Sequence, residues 1–293
     1  MQSKGSIWIG WVPLAVLPIS AVALRSHLPA WGFMVTLAFA IYFGFKWLTW
    51  WQARLAGVFA SVGRSWGYIL AWPGMDARTF LDMKAMPPAP GAADWLFAIL
   101  KTGFGAVIVW GVVRQVSPQQ VLLAGWLGLL GLSFLFFFGT FHILALLWRR
   151  AGVDARHIMH APVLARSPSD FWGARWNLAF RRLSYDLLFR PLRRRLGVGG
   201  ATLATFLASG VIHELVISFP ARGGYGLPTA YFLLQGFGVI LERSTLGKRL
   251  NLDHGVFGWL FTLLVTAGPI FWLFHVPFIT RVVIPFLRAI GAV

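Results

Sequence analysis

Long apolar runs, separated by short polar or basic segments, dominate the sequence. A helix needs about 20 mainly apolar residues to cross a bilayer, and eight runs approach that length. The predicted spans are residues 7–24, 30–51, 95–113, 120–148, 201–219, 228–242, 255–274 and 276–291. The pattern therefore predicts an all-α polytopic membrane protein with about eight transmembrane helices. The sequence contains no internal repeat and no domain boundary, so we expect a single membrane-embedded domain over residues 1–293.

Three further segments do not fit a plain membrane span. Residues 55–72 carry Arg64 in the middle of an apolar run, which favours a helix lying at the membrane interface. Residues 73–94 and 149–200 are long for connections in a compact bundle, and such segments are usually functional or disordered. Residues 73–94 are rich in proline and leave both possibilities open. Residues 149–200 are dense in Arg, Trp and Phe, and that composition disfavours disorder.

The composition agrees with lipid as the main solvent. Of the 293 residues, 58% are hydrophobic and 12% are charged, whereas soluble domains carry about 25% charged residues. The formal net charge of +17 would suit nucleic acid in a soluble protein. Here the basic residues follow the ends of apolar runs, so we expect no nucleic-acid partner. The sequence contains no cysteine, which excludes disulfide bonds, thiolate nucleophiles and thiolate metal sites.

The distribution of Lys and Arg predicts the orientation of the chain. If both termini are cytoplasmic, only Arg25, Arg114, Arg222 and Arg281 of the 26 basic residues lie on the far side of the membrane. Cytoplasmic loops of membrane proteins carry an excess of positive charge. We therefore expect an integral, multi-pass protein with both termini in the cytoplasm. The first run, residues 7–24, lacks a clear signal-peptide cleavage site and is expected to be a retained span.

An ionisable pair, His213 and Glu214, interrupts the apolar sequence ATLATFLASGVIHELVISFP of residues 201–220. An ionisable group facing lipid costs about 2.5–3.5 kcal/mol or more, so His213 should face the protein interior or a water-containing cavity. On a helix it shares that face with Ser209. Two interpretations stay open: a histidine that packs against a neighbouring helix, or a general base whose neutral imidazole accepts a proton from a hydroxyl. Glu214 projects about 100° away and is expected to pair with an arginine or to support the site from behind.

The second candidate is the sequence SDFWGARWN at residues 169–177, which combines two Trp, a Phe, an Arg and an Asn. Aromatic side chains of this size bury well, and each buried indole N–H needs a polar partner. One interpretation is an interfacial anchor, with Trp172 and Trp176 among lipid headgroups and Arg175 on phosphate. The other is a re-entrant segment that folds back into the bundle and presents the amide of Asn177 to a substrate.

Other polar groups give weaker signals. His142, in the fourth predicted span, either packs within the bundle or lines the same cavity as His213. The sequence HELVI lacks the second histidine of a zinc-binding H-E-x-x-H motif, so we expect no metal. Ser209 and His213 lie on adjacent helical turns without an orienting acid, which disfavours a serine hydrolase. The basic run RPLRRR at residues 190–195 would anchor the chain on anionic lipid or attract a phosphorylated cosubstrate such as coenzyme A.

Together the two candidate segments resemble the signature of the wax synthase branch of the membrane-bound O-acyltransferases. In that branch an F-W-G-R-R-W-N element precedes an S-G-x-x-H-E element. Here DFWGARWN is followed about 36 residues later by SGVIHEL, and the resemblance is close over residues 168–216. The two elements in this order are more specific than either element alone. Ala174 departs from the basic residue of the family motif, and WPGMDAR at residues 72–78 is similar to a segment of bacterial members.

The resemblance implies a helical bundle with interfacial or re-entrant cytoplasmic helices that encloses a catalytic cavity, in a bacterial inner membrane. It implies transfer of an acyl group from acyl-CoA to a hydrophobic alcohol dissolved in the membrane lipid. Acyl-CoA would be a cosubstrate, and no further cofactor is expected. His213 would be the catalytic base and Asn177 its paired polar residue. The candidates for substrate contact are Trp172, Arg175, Trp176, Ser209, Glu214 and His142.

Two other functional classes stay open on the sequence. A transporter or proton-coupled carrier would use His213 and Glu214 as a relay near the middle of the membrane. Such proteins usually contain internal repeats with broken helices, which this sequence lacks. A catalytically silent scaffold would keep the fold without the chemistry, but the presence of both Asn177 and His213 argues against it.

Overall fold

The computed structural model describes residues 4–84 and 87–293, with side chains from residue 7, and every regular element in these ranges is helical. The main helices are α1 (Lys4–Ile9), α2 (Val12–Ala23), α3 (Ala30–Leu55), α4 (Val62–Ala71), α5 (Ala77–Leu81), α6 (Ala92–Gln115), α7 (Val121–Arg150), α8 (Leu178–Ala221), α9 (Leu227–Arg243), α10 (Thr245–Arg249), α11 (Gly255–Leu273) and α12 (276–289). Short 3₁₀ turns lie at Arg25–His27 and Pro162–Leu164, and a helical turn at Pro168–Asp170 continues as a π-helix over Phe171–Arg175. The all-α prediction is confirmed.

Within the described ranges, five helices are long and apolar enough to cross a membrane: α3, α6, α7, α8 and α11. The other three predicted spans, residues 7–24, 228–242 and 276–291, are helical but short. The first is interrupted at Gly10 and Trp11, α9 has 17 residues, and α12 contains prolines and a π-helical stretch. The predicted count of eight spans is therefore not confirmed. The chain is a multi-pass helical membrane protein with five helices of full spanning length in its described part.

α4 carries an apolar face that is exposed on the protein surface. Val62, Trp66 and Leu70 are 75%, 57% and 64% exposed, and their spacing of four residues places them on one side of the helix. Tyr68, on the opposite side, is fully buried. Ten residues are too few to span a bilayer. The helix has the amphipathic pattern of an interfacial element, and it begins later than the predicted segment 55–72.

The start of the proline-rich segment after α4 is packed into the fold. Residues 72–75 are all buried. The hydroxyl of Tyr42 in α3 donates to the carbonyl of Trp72 at 2.8 Å, and the ammonium of Lys46 donates to the carbonyl of Gly74 at 2.6 Å. The first part of residues 73–94 is therefore ordered, and a function for this segment stays a prediction.

The described chain divides into two compact units. One comprises the chain up to Ile158 together with Val283–Val293, and the other comprises Met159–Val282. In the first unit α6 and α7 cross closely at Gly105. A Cβ at this position would overlap the backbone of Leu135. In the second unit α8 and α9 cross at Gly210, where an added Cβ would lie 2.8 Å from the Cα of Thr229. Small residues allow such close approach of helices in membranes.

Candidate active site

His213 lies where the regular part of α8 gives way to a π-helix, which spans Glu214–Ser218. The Nδ1 atom of His213 is 2.7 Å from the carbonyl oxygen of Ser209. A carbonyl oxygen can only accept, so Nδ1 carries a proton and Nε2 of the neutral ring carries the lone pair. The partly exposed ring also contacts Phe232 of α9, with 4.3 Å between ring centroids. The backbone of α8 thus fixes which nitrogen of His213 can act as a base.

Glu214 contacts the start of α9. Its Oε1 atom accepts hydrogen bonds from the backbone N–H of Gly226 at 3.0 Å and from both the N–H and the hydroxyl of Thr229 at 3.1 and 3.0 Å. These backbone N–H groups have no partner inside their own helix, so the carboxylate caps α9 from α8. The expectation of an arginine partner was wrong, since none lies within ion-pair distance in the described part of the chain. The second oxygen, Oε2, is buried without a hydrogen-bond partner among the described residues.

The segment of residues 168–177, here called the tryptophan segment, begins at the other end of α9. The backbone N–H of Ser169 donates to Oε2 of Glu242 at 3.1 Å, and the guanidinium of Arg243 donates to the Ser169 hydroxyl at 2.7 Å. Ser167 caps the first turn by accepting from the N–H of Asp170 at 3.0 Å. Glu242 is almost fully buried. The last turn of α9 therefore anchors the start of the tryptophan segment.

Trp172 packs the tryptophan segment against α8, which carries His213, and against α9. Its indole N–H donates to Oε1 of Gln235 at 3.3 Å. Its ring contacts Phe206 of α8 and Phe232 of α9, with centroid distances of 5.6 and 5.7 Å. Because Phe232 also contacts His213, one aromatic ring touches a member of each sequence motif. The two elements singled out by the sequence pack together through Phe232.

Arg175 and Trp176 close the tryptophan segment on itself. The Nε of Arg175 donates to Oδ2 of Asp170 at 2.7 Å, and its guanidinium also reaches two backbone carbonyls of residues 160–161 at 3.4 Å. The Trp176 ring stacks on Phe171 at 5.6 Å with an interplanar angle of 12°. These contacts shape the segment, and a role of either residue in substrate contact stays a prediction.

Asn177 marks the turn from the tryptophan segment into α8. Its backbone adopts the left-handed conformation, with φ 45° and ψ 52°, which asparagine tolerates better than most side chains. Its N–H donates to the sulfur of Met159 at 3.2 Å. Within the described ranges, no hydrogen bond engages the amide of this partly exposed side chain. The backbone of Asn177 has a structural role, while its amide can serve a ligand.

His142 belongs to the first unit, whereas the other candidate residues belong to the second. Its Nδ1 atom is 2.9 Å from the ammonium of Lys101, and its ring lies against His157 with 4.0 Å between centroids. Its assignment to the same cavity as His213 stays a prediction. The sequence did not single out Lys101 or His157, although a lysine inside a predicted span is itself a signal.

His275 is a buried histidine that the sequence did not identify as a candidate. Its Nδ1 accepts from the N–H of Phe278 at 3.2 Å, so Nε2 carries the proton and faces the Ser218 hydroxyl at 3.2 Å. Burial lowers the pKa of His275, which keeps the ring in this neutral form. With its only lone pair bound to a helix N–H, the ring cannot act as a base toward Ser218. His275 is a helix cap between α11 and α12.

Comparison with known proteins finds similarity over part of the chain. Residues 155–234 match the sequence profile of the Membrane bound O-acyl transferase family, a range that contains Trp172, Asn177, His213 and Phe232. The chain is 36% identical over 142 residues to a probable long-chain-alcohol O-fatty-acyltransferase 7 from Arabidopsis thaliana, covering 42% of this chain and 40% of the relative.

Two further relatives match over a similar length. A long-chain-alcohol O-fatty-acyltransferase from Simmondsia chinensis is 31% identical over 137 residues, which cover 42% of this chain and 38% of the relative. An acyl-CoA–sterol O-acyltransferase 1 from Arabidopsis thaliana is 29% identical over 124 residues, which cover 39% of this chain and 36% of the relative. The matched part of the chain spans less than half the length of each of these three relatives. Residues 155–234 are thus similar to the Membrane bound O-acyl transferase family, and the matched relatives are named as long-chain-alcohol or sterol O-acyltransferases.

Proposed function

We propose that the protein transfers the acyl group of an acyl-CoA to the hydroxyl group of a hydrophobic alcohol, with a long-chain alcohol as the acceptor. The observation that carries this proposal is the position of His213. Its ring is held by the Ser209 carbonyl so that Nε2 has the lone pair, and it shares a contact on Phe232 with Trp172 of the tryptophan segment. The relatives named as long-chain-alcohol O-fatty-acyltransferases support the same substrates.

In the proposed reaction, Nε2 of His213 accepts the hydroxyl proton of the alcohol as the alcohol oxygen attacks the thioester carbonyl. A carbon–oxygen bond forms, and the tetrahedral intermediate then breaks the carbon–sulfur bond. The coenzyme A thiolate leaves and takes the proton back from the imidazolium. Asn177 presents its amide to a substrate or to the charge that develops on the carbonyl oxygen. No covalent acyl-enzyme is required, which suits a chain without cysteine.

The location of the base fits the physical properties of the substrates. The alcohol and the acyl chain dissolve in the bilayer, whereas coenzyme A is anionic and stays in water. A base inside a helical bundle with a basic cytoplasmic side lets the two meet while bulk water is kept from the thioester. Exclusion of water matters because hydrolysis competes with acyl transfer. We propose that both termini and the arginine-rich stretch of residues 181–195 face the cytoplasm of a bacterial inner membrane.

The proposal is tested by mass spectrometry of lipids from cells that make the wild-type protein or His213→Ala and are fed a panel of alcohols. A positioned base contributes about 10²- to 10⁴-fold to the rate, so new esters should accumulate with the wild type and nearly vanish with His213→Ala. His254→Ala is the matched control, because this exposed histidine pairs with Asp253 in a loop. Equal ester formation by wild type and His213→Ala would refute the proposed base. Sterol esters as the only product would replace the long-chain alcohol with a sterol.

A further inference from the structure

Pro269 leaves backbone carbonyls near the end of α11 without their usual N–H donors. The regular helix covers Gly255–Thr266, and in an uninterrupted helix the carbonyl of Val265 would accept from the N–H of residue 269. Proline has no N–H. The next residue, Ile270, donates to the carbonyl of Ala267 instead. Inside a membrane protein a carbonyl without a donor is costly, so another group must supply one.

Two buried side chains of α9 supply the donors. The amide nitrogen of Gln235 donates to the carbonyl of Val265 at 2.7 Å, and the hydroxyl of Tyr231 donates to the carbonyl of Thr266 at 3.0 Å. Gln235 is 0% exposed and Tyr231 is 4% exposed. These two residues therefore perform the same structural task at neighbouring carbonyls. Only Gln235 also touches the tryptophan segment.

The bond to Val265 determines which way the Gln235 amide points. Since a carbonyl can only accept, the NH₂ group of Gln235 must face Val265, and the amide oxygen must face away from it. That oxygen lies 3.3 Å from the indole nitrogen of Trp172, which can only donate. Because Pro269 has no N–H, the carbonyl of Val265 binds the NH₂ group of Gln235. The oxygen of Gln235 is thereby directed at the tryptophan segment.

We infer that Gln235 is a positioning residue for acyl transfer, acting through Trp172. The hydrogen bond that Trp172 donates to Gln235 fixes the Trp172 ring between Phe206 and Phe232, and Phe232 contacts the ring of His213. Five residues farther along the segment the chain reaches Asn177. Gln235 therefore positions the tryptophan segment, which carries Asn177, relative to the helix α8, which carries His213. The inference rests on the proposed function, and Gln235 lies just beyond the residues 155–234 matched to the family profile.

A double-mutant cycle on the full chain in detergent or nanodiscs tests the inference. Trp172→Phe removes the indole N–H and keeps an aromatic ring. Gln235→Met removes both the NH₂ donor and the oxygen acceptor of the amide at similar volume. The double variant combines the two changes. Small misplacement of a reacting group costs up to about 100-fold, so each single variant should lower kcat by roughly tenfold or more. The KM for acyl-CoA should stay within about twofold, because the bond serves geometry rather than ground-state binding. The double variant should be no slower than Gln235→Met alone, because both changes remove the same bond.

Tyr231→Phe is the matched structural control. It removes the donor to the adjacent carbonyl of the same helix end, so it should lower Tm as Gln235→Met does while kcat stays at the wild-type value. Full activity in Trp172→Phe, additive losses in the double variant, or an equal loss of kcat in Tyr231→Phe would each overturn the positioning role. If the wild type forms no ester from any acyl-CoA and alcohol while the thermal shifts appear as expected, the proposed function has failed instead.

Discussion

At the scale of single residues, one backbone carbonyl decides what His213 can do. The bond from Nδ1 to the Ser209 carbonyl places the lone pair of the neutral ring on Nε2. The sequence predicted that His213 and Ser209 share a helix face, and the structure places them one turn apart in contact. The link is made by the backbone of Ser209, which any residue at this position would supply. The identity of the side chain at position 209 is therefore not what orients the ring.

Glu214 could stabilise α9 through its hydrogen bonds or through its negative charge. Two substitutions distinguish these two contributions. Glu214→Gln keeps an oxygen that can accept from Gly226 and Thr229, so its thermal unfolding should stay near that of the wild type. Glu214→Ala leaves the first N–H groups of α9 without their partner, and the loss of a helix cap costs about 1 kcal/mol. The measurement is Tm in detergent for the three proteins. Equal Tm values for the Ala and Gln variants would show that the cap does not stabilise α9.

Candidate residues can be selected from the sequence, whereas their partners in the fold cannot. The motifs identified His213, Asn177 and Trp172, because their order and spacing are visible along the chain. The partner of Glu214 could not be predicted, since it lies at the start of another helix whose position depends on the tertiary fold. Gln235 was missed although a single glutamine inside the apolar run YFLLQGFGVILE is a visible signal. Its reason for being there, the carbonyl of Val265, becomes visible only when α9 and α11 are packed together.

At the scale of helices, α8 joins a basic part to an apolar part. The sequence predicted a span at residues 201–219, and the structure extends the helical run back to Leu178. Gly197 breaks it with φ 66° and ψ −176°, a conformation open to glycine, between the arginine-rich part and the apolar part. The π-helix Glu214–Ser218 also departs from the regular helical spacing that places Glu214 about 100° away from His213. Such departures within a continuous apolar run leave no mark on its hydrophobic pattern.

The junction of α11 and α12 carries a pH dependence that can be measured. Burial lowers the pKa of His275, so the folded protein binds fewer protons than the unfolded chain between that lowered pKa and the ordinary value near 6.5. The contribution of His275 to stability is then complete above about pH 7 and declines as the pH falls through 6.5 toward the lowered pKa. His275→Asn keeps a side-chain oxygen that can accept from the N–H of Phe278 but does not titrate.

We therefore expect the Tm of the wild type to fall more steeply between about pH 7.5 and 5 than the Tm of His275→Asn. The comparison of the two proteins removes the contribution of carboxylates that titrate in both. Parallel curves would mean that the protonation of His275 is not linked to unfolding. The sequence predicted the break between the last two apolar runs at HVPF, but it did not indicate that the histidine caps the following helix.

At the scale of the whole molecule, the apolar runs predicted the helices, and in the described residues five of the eight predicted spans are long and apolar enough to cross a membrane. Two of the remaining runs, residues 7–24 and 276–291, contain glycine and proline and form interrupted or shorter helices. Hydropathy measures apolar length and does not register where a helix is interrupted. The positive-inside pattern makes a separate prediction about which ends of the helices face the cytoplasm.

The absence of native cysteine makes that orientation simple to test. Gln119→Cys and Ala151→Cys place single thiols at exposed positions next to the two ends of α7. We expect a membrane-impermeant maleimide to label Gln119→Cys in intact cells and to label Ala151→Cys only after the membrane is opened. The cysteine-free wild type is the control for background. The opposite labelling pattern would reverse the proposed orientation and place the arginine-rich stretch outside the cytoplasm.

We propose that Nε2 of His213 is the base in acyl transfer. The most direct test is the rate of ester formation by the purified wild-type protein and by His213→Ala, with saturating acyl-CoA and long-chain alcohol and with matched Tm values. We expect the wild type to form the ester and His213→Ala to be slower by about 10²- to 10⁴-fold. Equal rates for the two proteins would contradict it.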